Sequence, residues 1–111
     1  QQANRRPEEL TLKIIQTQKI EKAMTTIHRN RKWANGMIMA PMAWARYEYA
    51  LLDCLDTVSI PTIEVFLSEQ YESGEDKVMS ILTAVCLDSM SGHPLTIFTT
   101  ALDHLINHLT E

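Results

Sequence analysis

The stretch that most constrains the fold of this chain runs from Val78 to Met90 and reads VMSILTAVCLDSM. On a helix that turns about 100° per residue, its apolar side chains spread over roughly two thirds of the circumference. A helix that is apolar over so wide an arc needs neighbours on several sides. The sequence therefore predicts a central apolar helix near residues 75–91, packed among other helices.

The scarcity of turn-forming residues also favours a helical fold. The 111 residues include only three Gly and four Pro, which is little material for the many turns of an all-β fold. A hydrophobic fraction of 45% is typical of a globular domain, and the length suits one core. We expect an all-α fold, a small bundle of about five helices with a long basic N-terminal helix.

The remaining helix boundaries follow from start and stop signals. A flexible polar arm over residues 1–6 precedes a single helical domain over residues 7–111, because Pro7 and the two glutamates after it suit the first turn of a helix. This long helix, about 8–34, ends at Asn35-Gly36. A helical bundle then occupies about 41–110, in which Ser59 caps a further helix.

Charge is distributed unevenly along the chain. Residues 1–35 contain eight Lys or Arg and three acidic residues. Residues 36–111 contain two Lys or Arg and eleven acidic residues. The basic helix can contact nucleic-acid phosphates, can be a solvated face whose cations offset the helix dipole, or can pair with the acidic cluster near residues 64–76 of the same or another copy. The candidate residues for binding nucleic acid or a partner are Lys19, Lys22, Arg29, Arg31, Lys32 and Trp33.

An uncharged, methionine-rich connector follows the long helix. Met37, Met39 and Met42 lie between Trp33 and Trp44. Flexible thioethers beside aromatic rings suit an adaptable protein-binding surface. The same residues also suit a segment that folds over the end of its own core.

No motif of catalysis or cofactor binding stands out. The sequence contains no nucleophile elbow and no Gly-rich phosphate loop. His104 and His108 are spaced so that both can reach one metal ion, but a solvated helix border explains them as well. We therefore predict no catalytic residue, no metal and no cofactor.

These observations lead to a functional hypothesis. We expect a non-enzymatic interaction module that acts as a homo-oligomeric adaptor or regulatory protein, most simply a dimer. The alternative is a nucleic-acid-binding regulatory protein that uses the basic helix. The uncharged run over 34–45 is too short to span a bilayer, and Cys54 and Cys86 suit reduced, buried thiols, so we expect no membrane partner and a cytoplasmic location.

Overall fold

A parallel β-sheet with helices on both faces forms the centre of the molecule. The computed structural model describes residue 13 and residues 15–67 and 80–110. In chain order the elements are α1 (Ile20–Asn30), β1 (Met37–Met39), α2 (Trp44–Tyr47), α3 (Tyr49–Val58), β2 (Thr62–Leu67), a 3₁₀ helix (Thr83–Val85), β3 (Asp88–Gly92) and α4 (Ile97–Leu109).

The three strands lie side by side in the order β1-β2-β3, and both pairings are parallel. Met37 is opposite Thr62, and Ile63 is opposite Asp88. Parallel neighbours need a crossover to bring the chain back, and α2 and α3 provide it between β1 and β2. The central strand is therefore β2, which pairs along both of its edges.

Side chains of β2 alternate between two apolar clusters. Phe66 packs with Leu51 and Leu55 of α3 and with Ile27 of α1. Ile63 and Val65 pack on the other face, in a cluster with three residues of α4, namely Ile97, Ala101 and Leu105. Helices thus cover both faces of the sheet, which is the usual environment of a parallel sheet.

The predicted all-α fold is wrong, and the central apolar helix near 75–91 is the clearest error. In its described part the chain forms a turn, the 3₁₀ helix and β3. Leu82 is fully buried, but Val85 and Cys86 are only half-buried. A short apolar run rich in β-branched residues satisfies a helical wheel and a strand equally well, so its periodicity did not distinguish the two.

The segment after α3 is the second error. Ser59 was expected to open a helix, but it ends α3 in a left-handed conformation with a φ of 58°, and its N–H bonds to the carbonyl of Leu55 at 3.1 Å. The chain then enters β2. Thr62, Ile63 and Val65 are β-branched, and such residues fit the pleated surface of a strand.

The first helix is shorter in the structure than in the prediction. Helix α1 begins at Ile20, and residues 15–19 are not helical. The Lys19 N–H donates to the Thr17 hydroxyl at 3.1 Å, a local bond that competes with helical pairing. The predicted arm over 1–6 and the predicted start near residue 8 lie outside the described residues. A single domain over 7–111 stays a prediction.

None of the helices in the described ranges combines the length and apolarity needed to cross a membrane.

Candidate functional site

The ends of the strands define the first place to look for a site. In open α/β sheets, ligands bind outside the carboxyl ends of parallel strands. Here residues 40–48 follow β1 and residues 93–96 follow β3, and we call these two segments together the carboxyl edge. Strand β2 leads into residues 68–79, which lie outside the described part of the chain.

A tight turn positions the segment after β1. Pro41 is buried, and Met42 adopts a φ of 54°, a left-handed conformation that is uncommon for a residue other than glycine. The Trp44 N–H bonds to the carbonyl of Pro41 at 3.0 Å and so starts α2. Non-glycine residues held in this conformation are concentrated at functional sites. The turn presents Arg46 to solvent on α2.

His93 occupies the corresponding position after β3. Its carbonyl accepts the N–H groups of Thr96 and Ile97 at 3.0 and 2.9 Å and so anchors the start of α4. Its Nδ1 accepts the Leu95 N–H at 3.1 Å. The exposed ring of His93 therefore lies at the carboxyl edge.

Glu64 is a carboxylate in the middle of β2 that solvent does not reach, with 0% of its surface exposed. The Ser80 hydroxyl donates to its Oε2 at 2.8 Å, and the Thr83 hydroxyl donates to its Oε1. Between those two donors, the Ile81 N–H donates to the carbonyl of Ala45 at 2.8 Å. A continuous set of hydrogen bonds thus joins the central strand to α2, next to Arg46.

Burial and the nearby carboxylate control the thiol chemistry of Cys86. Desolvation, and secondly the charge of Glu64, raise the pKa of Cys86 to about 12. Burial also raises the pKa of Cys54. Both cysteines are free. A thiol with so high a pKa stays protonated at neutral pH, so Cys86 is not a nucleophile there.

The cationic residues predicted to bind nucleic acid or a partner lie on and after α1. Lys22 and Arg29 are exposed on the helix, Lys19 precedes it, and Arg31 ends it by donating from Nη1 to the carbonyl of His28. Helix α1 leads into the amino end of β1, so Arg29, Arg31 and the exposed Lys32 lie toward the end of the sheet opposite the carboxyl edge.

The aromatic and methionine residues predicted to bind a partner make contacts within the chain, although Trp33 is exposed to solvent. The ammonium of Lys13 lies 5.9 Å from the centre of the Trp33 ring, and the indole N–H donates to Asn30. Met37 and Met39 form β1 and pack against the cluster that contains Phe66. Met42 forms the left-handed turn. Partner binding by these residues stays a prediction.

The histidines on the last helix do not converge with other ligands. His104 Nε2 lies 3.1 Å from Asp88 Oδ2. Within residues 13, 15–67 and 80–110, no group of three His, Cys, Asp or Glu side chains has the geometry to hold a metal ion.

Arg46 and His93 were not among the site residues predicted from the sequence, and Glu64 was counted only within an acidic cluster. What these three residues have in common is their position in or directly after a strand. They can therefore be identified as site residues only after the strands have been recognised. The TIEVFL run contained a usable clue, because an acid enclosed by apolar residues in a buried strand must find hydrogen-bond partners. Ser80 and Thr83 are those partners.

Comparison with known proteins identifies a consistent set of relatives. Residues 1–106 match the family model described as Dehydroquinase class II. A 3-dehydroquinate dehydratase of Desulfitobacterium hafniense (strain Y51) is 36% identical over 75 residues, which are 68% of this chain and 52% of that protein. A 3-dehydroquinate dehydratase of Clostridium botulinum (strain 657 / Type Ba4) is 28% identical over 104 residues, which are 94% of this chain and 71% of that protein.

Solved structures agree with the sequence relatives. The type II dehydroquinase of Propionibacterium acnes superposes with a TM-score of 0.72 at 28% identity, over 83% of this chain and 63% of that one. The type II dehydroquinase of Butyrivibrio crossotus DSM 2876 gives a TM-score of 0.71 at 28% identity, over 80% and 63%. The chain thus spans about half the length of the D. hafniense relative and under two thirds of each solved structure.

These likenesses correct the functional hypothesis from the sequence. The expectation of a non-enzymatic adaptor or regulatory protein is wrong, because the relatives are named as enzymes. The alternative of a nucleic-acid-binding regulator is wrong for the same reason. The charge asymmetry on which both rested is a property of the surface and does not determine the fold.

Proposed function

Because this chain belongs to the dehydroquinase class II family, we propose that it removes water from 3-dehydroquinate, the compound in the names of its relatives. The observation that carries the proposal is the family match over residues 1–106. The carboxyl edge supports it with a cation, Arg46, which follows β1, and an imidazole, His93, which follows β3; these two strands flank β2.

Each of these groups has a role in the proposed reaction. Eliminating water from a hydroxylated ketone breaks a C–H bond beside the carbonyl and a C–O bond to the leaving hydroxyl. A base takes the proton from carbon, and an acid gives a proton to the departing oxygen. As an imidazole, His93 is suited to the acid role, and Arg46 is suited to bind the substrate carboxylate with two hydrogen bonds.

The direct test is formation of the conjugated ketone product, followed by its ultraviolet absorbance. We expect turnover by the purified chain, a fall in kcat of at least about 100-fold for His93→Ala, and a KM raised about 10-fold or more for Arg46→Ala. His104→Ala and Lys32→Ala are matched controls, because both residues are exposed away from the carboxyl edge. If the chain gives no product above the background rate, the dehydratase proposal fails.

A cytoplasmic location is also our proposal. Free rather than bridged cysteines are typical of reducing compartments, and Cys54 and Cys86 are both free. Fractionation of the source cells, with immunodetection of the native protein, tests it. Recovery of the protein outside the cytoplasmic fraction would contradict it.

A further inference from the structure

A groove lies between α1 and α3, on the face of the sheet opposite α4. It has a volume of about 590 Å³ and is open to solvent. Sites for small ligands commonly have volumes of about 300 to 1,000 Å³. Glu21, Thr25 and Arg29 of α1 line one wall, and Asp53 and Thr57 of α3 line the other. Nothing in the proposed dehydration uses these residues.

Charge changes sign along this groove. Helices α1 and α3 precede parallel neighbouring strands, so both end near the amino end of the sheet and run in the same direction. Glu21 is in the first turn of α1, and Asp53 is in the first half of α3. Arg29 is in the last turn of α1, and Arg31 directly follows the helix. All four residues line the groove, which therefore has an acidic end and a basic end.

The charges at the two ends do not neutralise each other. Arg29 and Asp53 line the same groove, yet among the described residues neither of them forms an ion pair, and neither does Glu21. Glu21 and Arg29 are eight positions apart on one helix, which is about 12 Å along its axis. A molecule that contacts both ends must therefore be extended and carry one charge of each sign.

Apolar side chains also line the groove. Met24 of α1 and Ala50 and Cys54 of α3 contribute to its surface. Cys54 is buried, and Met24 is half-buried and packs against the cluster that contains Phe66. Such a surface favours a ligand whose body is apolar, because contact removes apolar area of both molecules from water.

We propose that this groove binds a short apolar peptide of about three residues whose two ends are free. Three residues of extended chain span roughly 10 Å, close to the separation of the charged ends. The ammonium group of the peptide lies beside Glu21 and Asp53. Its carboxylate lies beside Arg29 and Arg31, where guanidinium groups can bind it with paired hydrogen bonds. A simple anion or a simple cation is complementary to only one end of the groove.

Titration calorimetry with the peptide leucyl-alanyl-leucine gives the first test. At about pH 7 in roughly 50 mM salt we expect saturable binding with a dissociation constant below about 1 mM. Acetylation of the amino end and amidation of the carboxyl end each remove one charge, so we expect each to raise the dissociation constant at least about 10-fold. Absence of saturable binding overturns the proposal. Binding of either capped peptide as tightly as the free peptide also overturns it.

Two variants test which residues recognise the ends of the peptide. One combines Arg29→Gln with Arg31→Gln and removes the partners of the carboxylate, so we expect it to bind the free and the amidated peptide equally. The other combines Glu21→Gln with Asp53→Asn and removes the partners of the ammonium group, so we expect it to bind the free and the acetylated peptide equally. Each comparison is a double-mutant cycle, which isolates one contact. Circular dichroism checks that each variant is folded.

Asp103→Asn is the matched control, because Asp103 is an exposed acid on α4, the helix on the opposite face of the sheet. We expect this variant to bind all three peptides as the unmodified chain does. If a folded groove variant still prefers the free peptide as strongly as the unmodified chain, or if the control loses that preference, the peptide binds at another surface and the proposal is overturned.

Discussion

Glu64 shows how one side chain connects the core of this protein to the edge of its sheet. It is fully buried in β2 and receives the hydroxyl groups of Ser80 and Thr83. A buried carboxylate is tolerated where such donors replace the lost water. The segment that supplies the donors also bonds to Ala45. Glu64 therefore stabilises both the sheet and the position of α2.

Replacing this residue tests that role. Glu64→Ala removes the acceptor for two hydroxyls and leaves a cavity, so we expect it to lower the free energy of unfolding by about 2 to 4 kcal/mol. Glu64→Gln keeps the size and one acceptor and should cost roughly half as much. Urea unfolding measures both. A loss below about 0.5 kcal/mol for Glu64→Ala, the effect typical of an exposed residue, would show that the hydrogen bonds contribute little.

The thiol of Cys86 predicts a pH dependence. Its pKa rises from 9.0 to about 12 on folding, so the unfolded thiol loses its proton first as the pH increases. Above about pH 9 the unfolded state then binds fewer protons than the folded state, and the free energy of unfolding falls as the pH rises toward 12. We expect a steeper fall between pH 8 and pH 10 for the unmodified chain than for Cys86→Ala. Parallel slopes in urea unfolding would contradict this.

At the scale of elements, the stretch over residues 80–92 distinguishes the structure from the bundle that the sequence suggested. A buried helix would hold Leu82 and Val85 equally firmly. In the structure Leu82 is fully buried, whereas Val85 is half-buried in a 3₁₀ helix. We therefore expect Leu82→Ala to cost about 2 to 4 kcal/mol and Val85→Ala clearly less. Equal losses in thermal or urea unfolding would favour the helix.

The last helix was predictable from local chemistry. The amphipathic stripe that includes Leu105 and Ile106 predicted it, and the structure places it at Ile97–Leu109. Such a stripe acts within a few residues, where side-chain spacing decides the outcome. The predicted stop at Asn35-Gly36 was wrong, because α1 ends at Asn30 and neither Asn35 nor Gly36 has a positive φ.

The strands and the candidate site were not predictable in the same way. The residues of β2 are buried on both faces, and Thr62 and Glu64 alternate with apolar residues only over its first four positions, so the run lacks the longer alternation that marks a half-exposed strand. His93 and Arg46 are candidate site residues only because they follow strands of one parallel sheet. Their proximity to a common edge is a tertiary property, and no local pattern encodes it.

At the scale of the whole molecule, the fold predicts a spectroscopic signature. The described helices contain 11, 4, 10 and 13 residues, beside three strands of 3, 6 and 5 residues. We expect the infrared amide I band to include a clear β-sheet component together with the helical one. A purely helical band, such as a five-helix bundle gives, would contradict the parallel sheet.

The parallel order of the strands also bears on how fast the chain reaches its native state. Met37 meets Thr62 and Ile63 meets Asp88, so each ladder joins residues about 25 positions apart, and both ladders share β2. Both loops must close before the strands can pair, and closing them costs chain entropy. We therefore expect refolding over milliseconds to seconds rather than microseconds. Stopped-flow fluorescence of the two tryptophans follows this process. Refolding complete within the mixing time would indicate a nucleus built from local contacts alone.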